Sequence, residues 1–196
     1  MGFTWFSATT WNYPEMRFKT SRLECRNLTL SEYSSFEDGK EPNWSDLQNP
    51  FRHLIVGPSP LSFRIPRIKK DNEFAEIGLV LAIEKESNNL IGSAGFHDFP
   101  NPDGMIEIGF GIVPEMQGKG FGQELLLGMW KEIIKNPEVQ VLRYTVSPEN
   151  MTSLHIIEKF KFKKVGEQLD PEDGLELIFE MGKEEFQSLY GGDERI

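Results

Sequence analysis

Cysteine is nearly missing: Cys25 is the only one in 196 residues. One thiol excludes an internal disulfide framework and suits a reducing compartment, so the chain is expected to be cytoplasmic. Positive charge is also short. Against 31 Asp and Glu stand 21 Lys and Arg, a net charge of −10, and without a basic footprint general nucleic-acid binding is not expected. No apolar run approaches the roughly 18 residues of a membrane span, so no membrane association is expected. The three histidines, His53, His97 and His155, are too scattered for metal-ligand spacing, and no metal is expected. Residues 1–19 lack the basic-then-apolar form of a secretory signal, and Phe6 stands where myristoylation wants Ser or Thr. Neither G-x-x-x-x-G-K-S/T nor G-x-G-x-x-G occurs, and Ile91 spoils a G-x-S-x-G elbow around Ser93.

The informative part of the chain lies between residues 105 and 133. From Met105 to Ile112 the sequence alternates strictly, with Ile106, Ile108, Phe110 and Ile112 on one face. The other face carries Glu107, Gly109 and Gly111, so a ligand has room against its backbone. Phe121, Leu125 and Met129, with Leu126, Trp130 and Ile133, repeat at helical spacing until Asn136-Pro137. The junction reads Pro114-Glu115-Met116-Gln117-Gly118-Lys119-Gly120-Phe121-Gly122. Its glycines can turn backbone N–H groups toward one point, where the helix dipole adds to them and suits a phosphate. The same glycines equally fit a plain packing solution. Between Met116 and Lys164 eight Lys or Arg face five acids, a local balance of +3, with Lys159, Lys161, Lys163 and Lys164 clustered. That end suits a polyanionic ligand or is simply a solvated helix end.

The chain is long enough for one domain with its own core. Residues 1–19, with six aromatics, read as an extension packed on the domain; 20–181 form the single domain; 182–196 read as an acidic tail. A first strand is expected over 22–28, a short helix over 30–36, and strands over 77–83 and 90–97 with a turn at Asn88-Asn89. Residues 38–66 are broken by five prolines and resist assignment. Further strands are expected over 139–146, 163–165 and 175–181, and a helix over 150–160 with Asn150 as its N-cap. Hairpins followed by strand–helix–strand indicate an α+β fold with a mixed sheet.

These residues resemble the GNAT superfamily of acetyl-CoA-dependent N-acetyltransferases. Its signature R/Q-x-x-G-x-G/A is met by Gln117, Gly120 and Gly122, with a strand before and a helix after. Thr20-Ser21-Arg22-Leu23-Glu24-Cys25-Arg26 looks like the opening T-x-R-L-x-L-R of the branch that includes ribosomal-protein N-terminal acetyltransferases. Asn150-Met151-Thr152-Ser153 and Glu158-Lys159-Phe160-Lys161-Phe162 are similar to that branch's N-x-x-S and E-K-x-G-F. The resemblance covers residues 20–181, poorly across 38–76. It implies a GNAT-like, mostly antiparallel sheet of six to seven strands flanked by helices.

It further implies that acetyl-CoA is the cosubstrate. The pyrophosphate would lie on the backbone of Gln117, Gly118, Lys119, Gly120, Phe121 and Gly122. The pantetheine would pair near Ile112 and Val113, and Asn150 and Ser153 would touch the cofactor from the second helix. Acetyl transfer to an amine needs a proton acceptor, a polarised carbonyl and a protonated leaving thiolate. Glu107 is the candidate acceptor, or else it orients the amine; His97 ends the neighbouring strand within reach of the acceptor side. Many family members have a tyrosine seven residues after the Asn, as the acid for the thiolate. Ile157 stands there, which leaves Ser153 or water for that role, and Lys161 replaces the usual glycine before Phe162. The expected function is N-acetyl transfer to a primary amine, either a protein N-terminus or a small molecule, by a monomer or homodimer. The alternatives are an acyl-CoA-binding module that does not transfer, or an assembly driven by the aromatic N-terminus.

Overall fold

The computed structural model describes residues 15–57, 59–171 and 174–192. Its strands are β1 (Phe18–Lys19), β2 (Leu23–Asn27), β3 (Val80–Glu84), β4 (Asn89–Phe96), β5 (Met105–Ile112), β6 (Val141–Val146), β7 (Lys163–Asp170) and β8 (Gly174–Gly182). They form one sheet in the order β1-β2-β3-β4-β5-β6-β8-β7, eight strands where the sequence suggests six or seven. All neighbours are antiparallel except β5 and β6.

That exception shapes the molecule. Only Met105↔Val141, Ile106↔Leu142 and Glu107↔Arg143 pair across the parallel joint. Beyond Glu107 the two strands run on to Ile112 and Val146 unpaired, so a wedge opens between them.

The helices are α1 (Leu30–Glu37), α2 (Leu61–Lys70), α3 (Ala75–Gly78), α4 (Phe121–Ile133), α5 (Met151–Lys159) and α6 (Lys183–Tyr190). The apolar side of β5 faces α4: a Cβ on Gly122 would lie 2.8 Å from the Phe110 ring. Trp130 of α4 is fully buried, stacked on Phe162 at 4.7 Å and edge-on to Phe160 at 4.9 Å. Phe186 of α6 closes the same cluster and is fully buried. The acidic tail expected from 182 is therefore, over 183–190, a packed helix; its charges sit on the outer face while Phe186 anchors the inner one.

The opposite face carries α2 and α3. The segment that resists reading holds α2, with Pro66 inside it. Pro66 is exposed and gives up one helical N–H, a tolerable loss once Leu61 and Ile68 are buried. The strand expected from Ile77 begins instead at Val80, because 75–78 are helical. A continuous apolar run has no periodicity to tell the two apart. Strand β7 extends well beyond 165, and Lys163, Lys164, Val165, Glu167 and Leu169 along this edge strand are exposed.

Arg26 ties the proline-rich segment to the sheet. Its Nε donates to Asp46 at 2.7 Å, and its Nη1 and Nη2 donate to Glu32 at 3.0 and 2.8 Å. Glu32 also closes a capping box with Thr29 at the start of α1. Of the aromatic extension, 1–14 lie outside the described residues; Met16 and Phe18 are buried, with the Phe18 ring over Gly128 of α4.

Candidate active site

The site is built where the wedge opens. After β5, a 3-10 turn (Pro114–Met116) leads into the exposed residues Gln117 to Gly120 and then α4. Gly118 and Gly120 have φ of +73° and +84°. Side chains at left-handed positions cost about 1–2 kcal/mol, so glycine suits both. Nothing lies within 4 Å of a Cβ placed on Gly118, and Gln117 to Gly120 are all exposed. Gly122 differs: its missing side chain makes room for Phe110, and it serves packing. The packing explanation therefore holds for Gly122, while Gly118 and Gly120 are set apart by their left-handed backbone.

The turn is braced from β2. Arg22 donates from Nη1 to the Lys119 carbonyl at 2.9 Å and from Nε to Glu124 at 2.7 Å. Thr20 donates to Glu124 at 2.5 Å, and the Arg22 guanidinium covers the Phe121 ring at 4.2 Å. Thr20 and Arg22 thus fix the shape of a loop about 100 residues away in sequence.

Along β5 alternate residues bond to alternate neighbours. His97 donates its N–H to Glu107, and Val113 donates to Ile91 at 2.9 Å, so Val113 is committed to β4 and its N–H is not available to a ligand. Ile108, Phe110 and Ile112 turn their backbone groups toward the wedge. The Ile112 carbonyl is held by Gln117 Nε2 at 2.8 Å.

On the face opposite α4 lies a cavity of about 870 Å³, bordered by His53, Arg64, Ser93, His97, Gly109 and Gly111 among others. The space over Gly111 is open, whereas His97 fills the space over Gly109, its Nε2 2.9 Å from a Cβ placed there. His97 Nδ1 stands 3.3 Å from Glu107 Oε1, which also accepts from Thr145 at 2.6 Å. The Glu107 side chain is 16% exposed and that of His97 50%, so the histidine stands between the carboxylate and the cavity. Burial alone would raise the Glu107 pKa. Hydrogen bonds from His97 and Thr145, with the charges of His97 and Arg143, outweigh it and hold the carboxyl below its ordinary range.

His53 lies in the same cavity, its Nε2 2.9 Å from the Ser93 hydroxyl. Burial pushes its pKa down to about 4, so it is neutral at pH 7. On the other side of the sheet, Tyr144 of β6 faces Phe110 across the wedge, ring centroids 6.1 Å apart. Burial pushes its phenol up to about 12, a rise that the neighbouring Ser153 side chain opposes. Ser153 is buried on α5, one turn before the fully buried Ile157. Asn150 caps α5 by accepting from the Ser153 N–H at 3.1 Å, as the sequence predicts. His155 is exposed.

Glu107, His97 and Gly111 are thus brought together, with the glycine turn at the far end of β5. His53, Arg64, Tyr144 and Thr145 escape sequence reading. A charged residue at the Arg64 position, between Leu61 and Ile68 on an apolar stripe, is the one available signal.

A family profile for the acetyltransferase (GNAT) domain matches residues 52–163, more than half of the chain. The protein belongs to the GNAT acetyltransferase family, in keeping with the mixed, mostly antiparallel sheet and flanking helices. An uncharacterised N-acetyltransferase, p20, of Bacillus licheniformis is 29% identical over 84 residues, 43% of this chain and 47% of that protein. The match therefore spans about half of that relative's length. A ribosomal-protein-S5-alanine acetyltransferase from Vibrio fischeri has the same fold, with a TM-score of 0.62 and 13% identity over 87% of this chain and 98% of that one. A ribosomal L7/L12 alpha-N-protein acetyltransferase in complex with coenzyme A superposes with a TM-score of 0.59 and 12% identity, covering 83% of this chain and 95% of the other.

Proposed function

We propose that this protein is an acetyl-CoA-dependent N-acetyltransferase that acetylates a primary amine, a protein N-terminus or a small molecule, in a ternary complex. The observation that carries this reading is the wedge beyond Glu107, which lies between an exposed left-handed glycine turn and a cavity lined by a histidine that a carboxylate backs. The turn fits a diphosphate, because its glycines leave space and its residues are exposed beside the α4 N-terminus. Gln117, Gly118, Lys119, Gly120 and Phe121 would hold the diphosphate, the wedge edge at Phe110 and Ile112 the pantetheine, and Asn150 and Ser153 the cofactor from α5. Acetyl-CoA supplies an acetyl thioester there.

The protein's own groups divide the remaining work. His97 Nε2 accepts the proton that the ammonium must lose, and Glu107 acts through it. The carboxylate accepts a hydrogen bond from Nδ1–H, fixes the tautomer and stabilises the imidazolium that forms. Glu107 is too well bonded and too low in pKa to be the better base itself. The Ile112 N–H, turned to the wedge, polarises the carbonyl oxygen. A C–N bond forms as the C–S bond breaks, the second N–H proton of the former amine passes to solvent, and the sulfur takes a proton from the Tyr144 hydroxyl, which regains one from solvent past Ser153. Tyr144 thereby covers the role that Ile157 cannot perform.

Thiol release from acetyl-CoA against a panel of N-terminal peptides, amino acids and polyamines tests the reading. Amine-dependent release is the expected result. Coenzyme binding without release for any amine would instead identify an acyl-CoA-binding module.

A further inference from the structure

Arg64 reaches from α2 toward the sheet with its Nε on the Gly78 carbonyl and its Nη2 on the Gly95 carbonyl at 3.3 Å. The residue is only 9% exposed, yet it lines the cavity. Among the described residues no carboxylate pairs with it; both observed partners are neutral carbonyls. Arg67, one turn on, contrasts with it. That guanidinium is answered by Asp98 at 2.9 Å and Asp71 at 3.5 Å, and lies over Phe74. Among the described residues, the cavity wall therefore carries one buried cation without a paired carboxylate, and Asp170 is the lone acid that lines it. A buried charge is costly unless it is paired, so such a group is poised to take an anion from whatever fills the cavity.

The distances define what that occupant looks like. Arg64 Nη2 is 3.1 Å from a Cβ placed on Gly95, and His97 Nε2 is 2.9 Å from one on Gly109. Gly95 and Gly109 sit directly opposite each other on β4 and β5. Opposed Cβ positions are about 5 Å apart, so guanidinium and imidazole are separated by no more than roughly 11 Å. Resting on the proposed acetyl transfer, we propose that the acceptor is an amine that also carries a carboxylate a few bonds away. The amine meets His97, and the carboxylate takes two N–H donors of Arg64 in place of a counterion. Polyamines, whose every functional end is cationic, are poor acceptors.

Matched pairs test this: glycine against glycinamide, β-alanine against β-alaninamide, and a peptide amide beginning Ala-Asp against one beginning Ala-Asn, with spermidine alongside. The two kinds of pair separate a free amino acid from an acidic N-terminus as the source of the carboxylate. The expected result is a kcat/KM at least about tenfold higher for the carboxylate member of one kind of pair. Arg64→Gln is expected to bring that ratio to within about threefold of one. Equal rates within every pair, or spermidine as the best acceptor, would overturn the inference while leaving acetyl transfer standing. If no amine releases thiol, the transfer reading fails, and titration of the protein–coenzyme A complex with N-acetylglycine and its amide still decides. Tighter binding of the acid supports the Arg64 site, and equal binding removes it. The wild-type comparisons keep the inference open to refutation even if R64Q does not fold.

Discussion

At His97 and Glu107 a single interposed ring changes the mechanism that is proposed. The sequence points to Glu107 as the group that meets the amine, but the carboxylate is spent on Thr145 and on His97, and only the imidazole reaches the cavity. Loss of the proton acceptor costs more than loss of the group behind it. His97→Ala is expected to lower kcat about 100-fold or more, and Glu107→Gln about tenfold, each with little change in acetyl-CoA affinity. The reverse order in single-turnover assays would return the role to Glu107. Lys161 makes a different point. It has φ of +59° just past the end of α5, the conformation in which glycine is at ease. The missing family glycine is therefore a matter of backbone strain and not of chemistry. Lys161→Gly is expected to stabilise the fold by about 1 kcal/mol, or roughly 2–4 °C in Tm. His53 sets part of the pH response. Its folded pKa of about 4 lies below the ordinary 6.5, so the unfolded chain binds the extra proton first. Stability contributed by the neutral ring is complete above about pH 6.5 and declines as the pH falls toward 4. Thermal melts of His53→Asn are expected to show a flatter profile across that window than the parent.

Among the elements, the turn between β5 and α4 is where the diphosphate is proposed to bind. Gly120→Glu adds a side chain where φ is +84° and a negative charge where a diphosphate is proposed to sit. The variant is expected to lose the rise in Tm that coenzyme A gives the parent protein, and an undiminished rise would place the phosphates elsewhere. The turn, β5, α4 and the Asn150 cap were legible because periodicity, glycine and capping chemistry agree there. The acceptor side was not. Helix α2 hides behind Pro66 and an arginine on its apolar stripe, and α3 hides inside an apolar run that reads equally well as strand. His97 was visible as a strand-end residue, yet its place over Gly109 depends on the pairing of β4 with β5, which no local pattern states. Tyr144 was invisible for the same reason: its partner Ser153 comes from a helix later in the chain.

At the scale of the whole molecule, the sheet consists of two antiparallel halves that meet at three residue pairs. The backbone of Ile108, Phe110 and Ile112 faces the gap, and the coenzyme is proposed to lie along it. Amide hydrogen exchange at these residues is expected to slow markedly on adding coenzyme A, while exchange in β2 and β3, far from the gap, changes little. Uniform protection, or none at β5, would contradict that arrangement.

The parting of β5 from β6 also has a mechanical meaning. A thioester chain lying in the gap would serve as a borrowed strand, lending backbone partners to an edge that the polypeptide leaves bare and stitching the two plates together. Each turnover would then begin with the sheet completed by the cosubstrate and end with that strand withdrawn. Departure of spent coenzyme becomes a partial unzipping of the protein's own scaffold, so the pace of release is tied to how firmly the two plates hold without it.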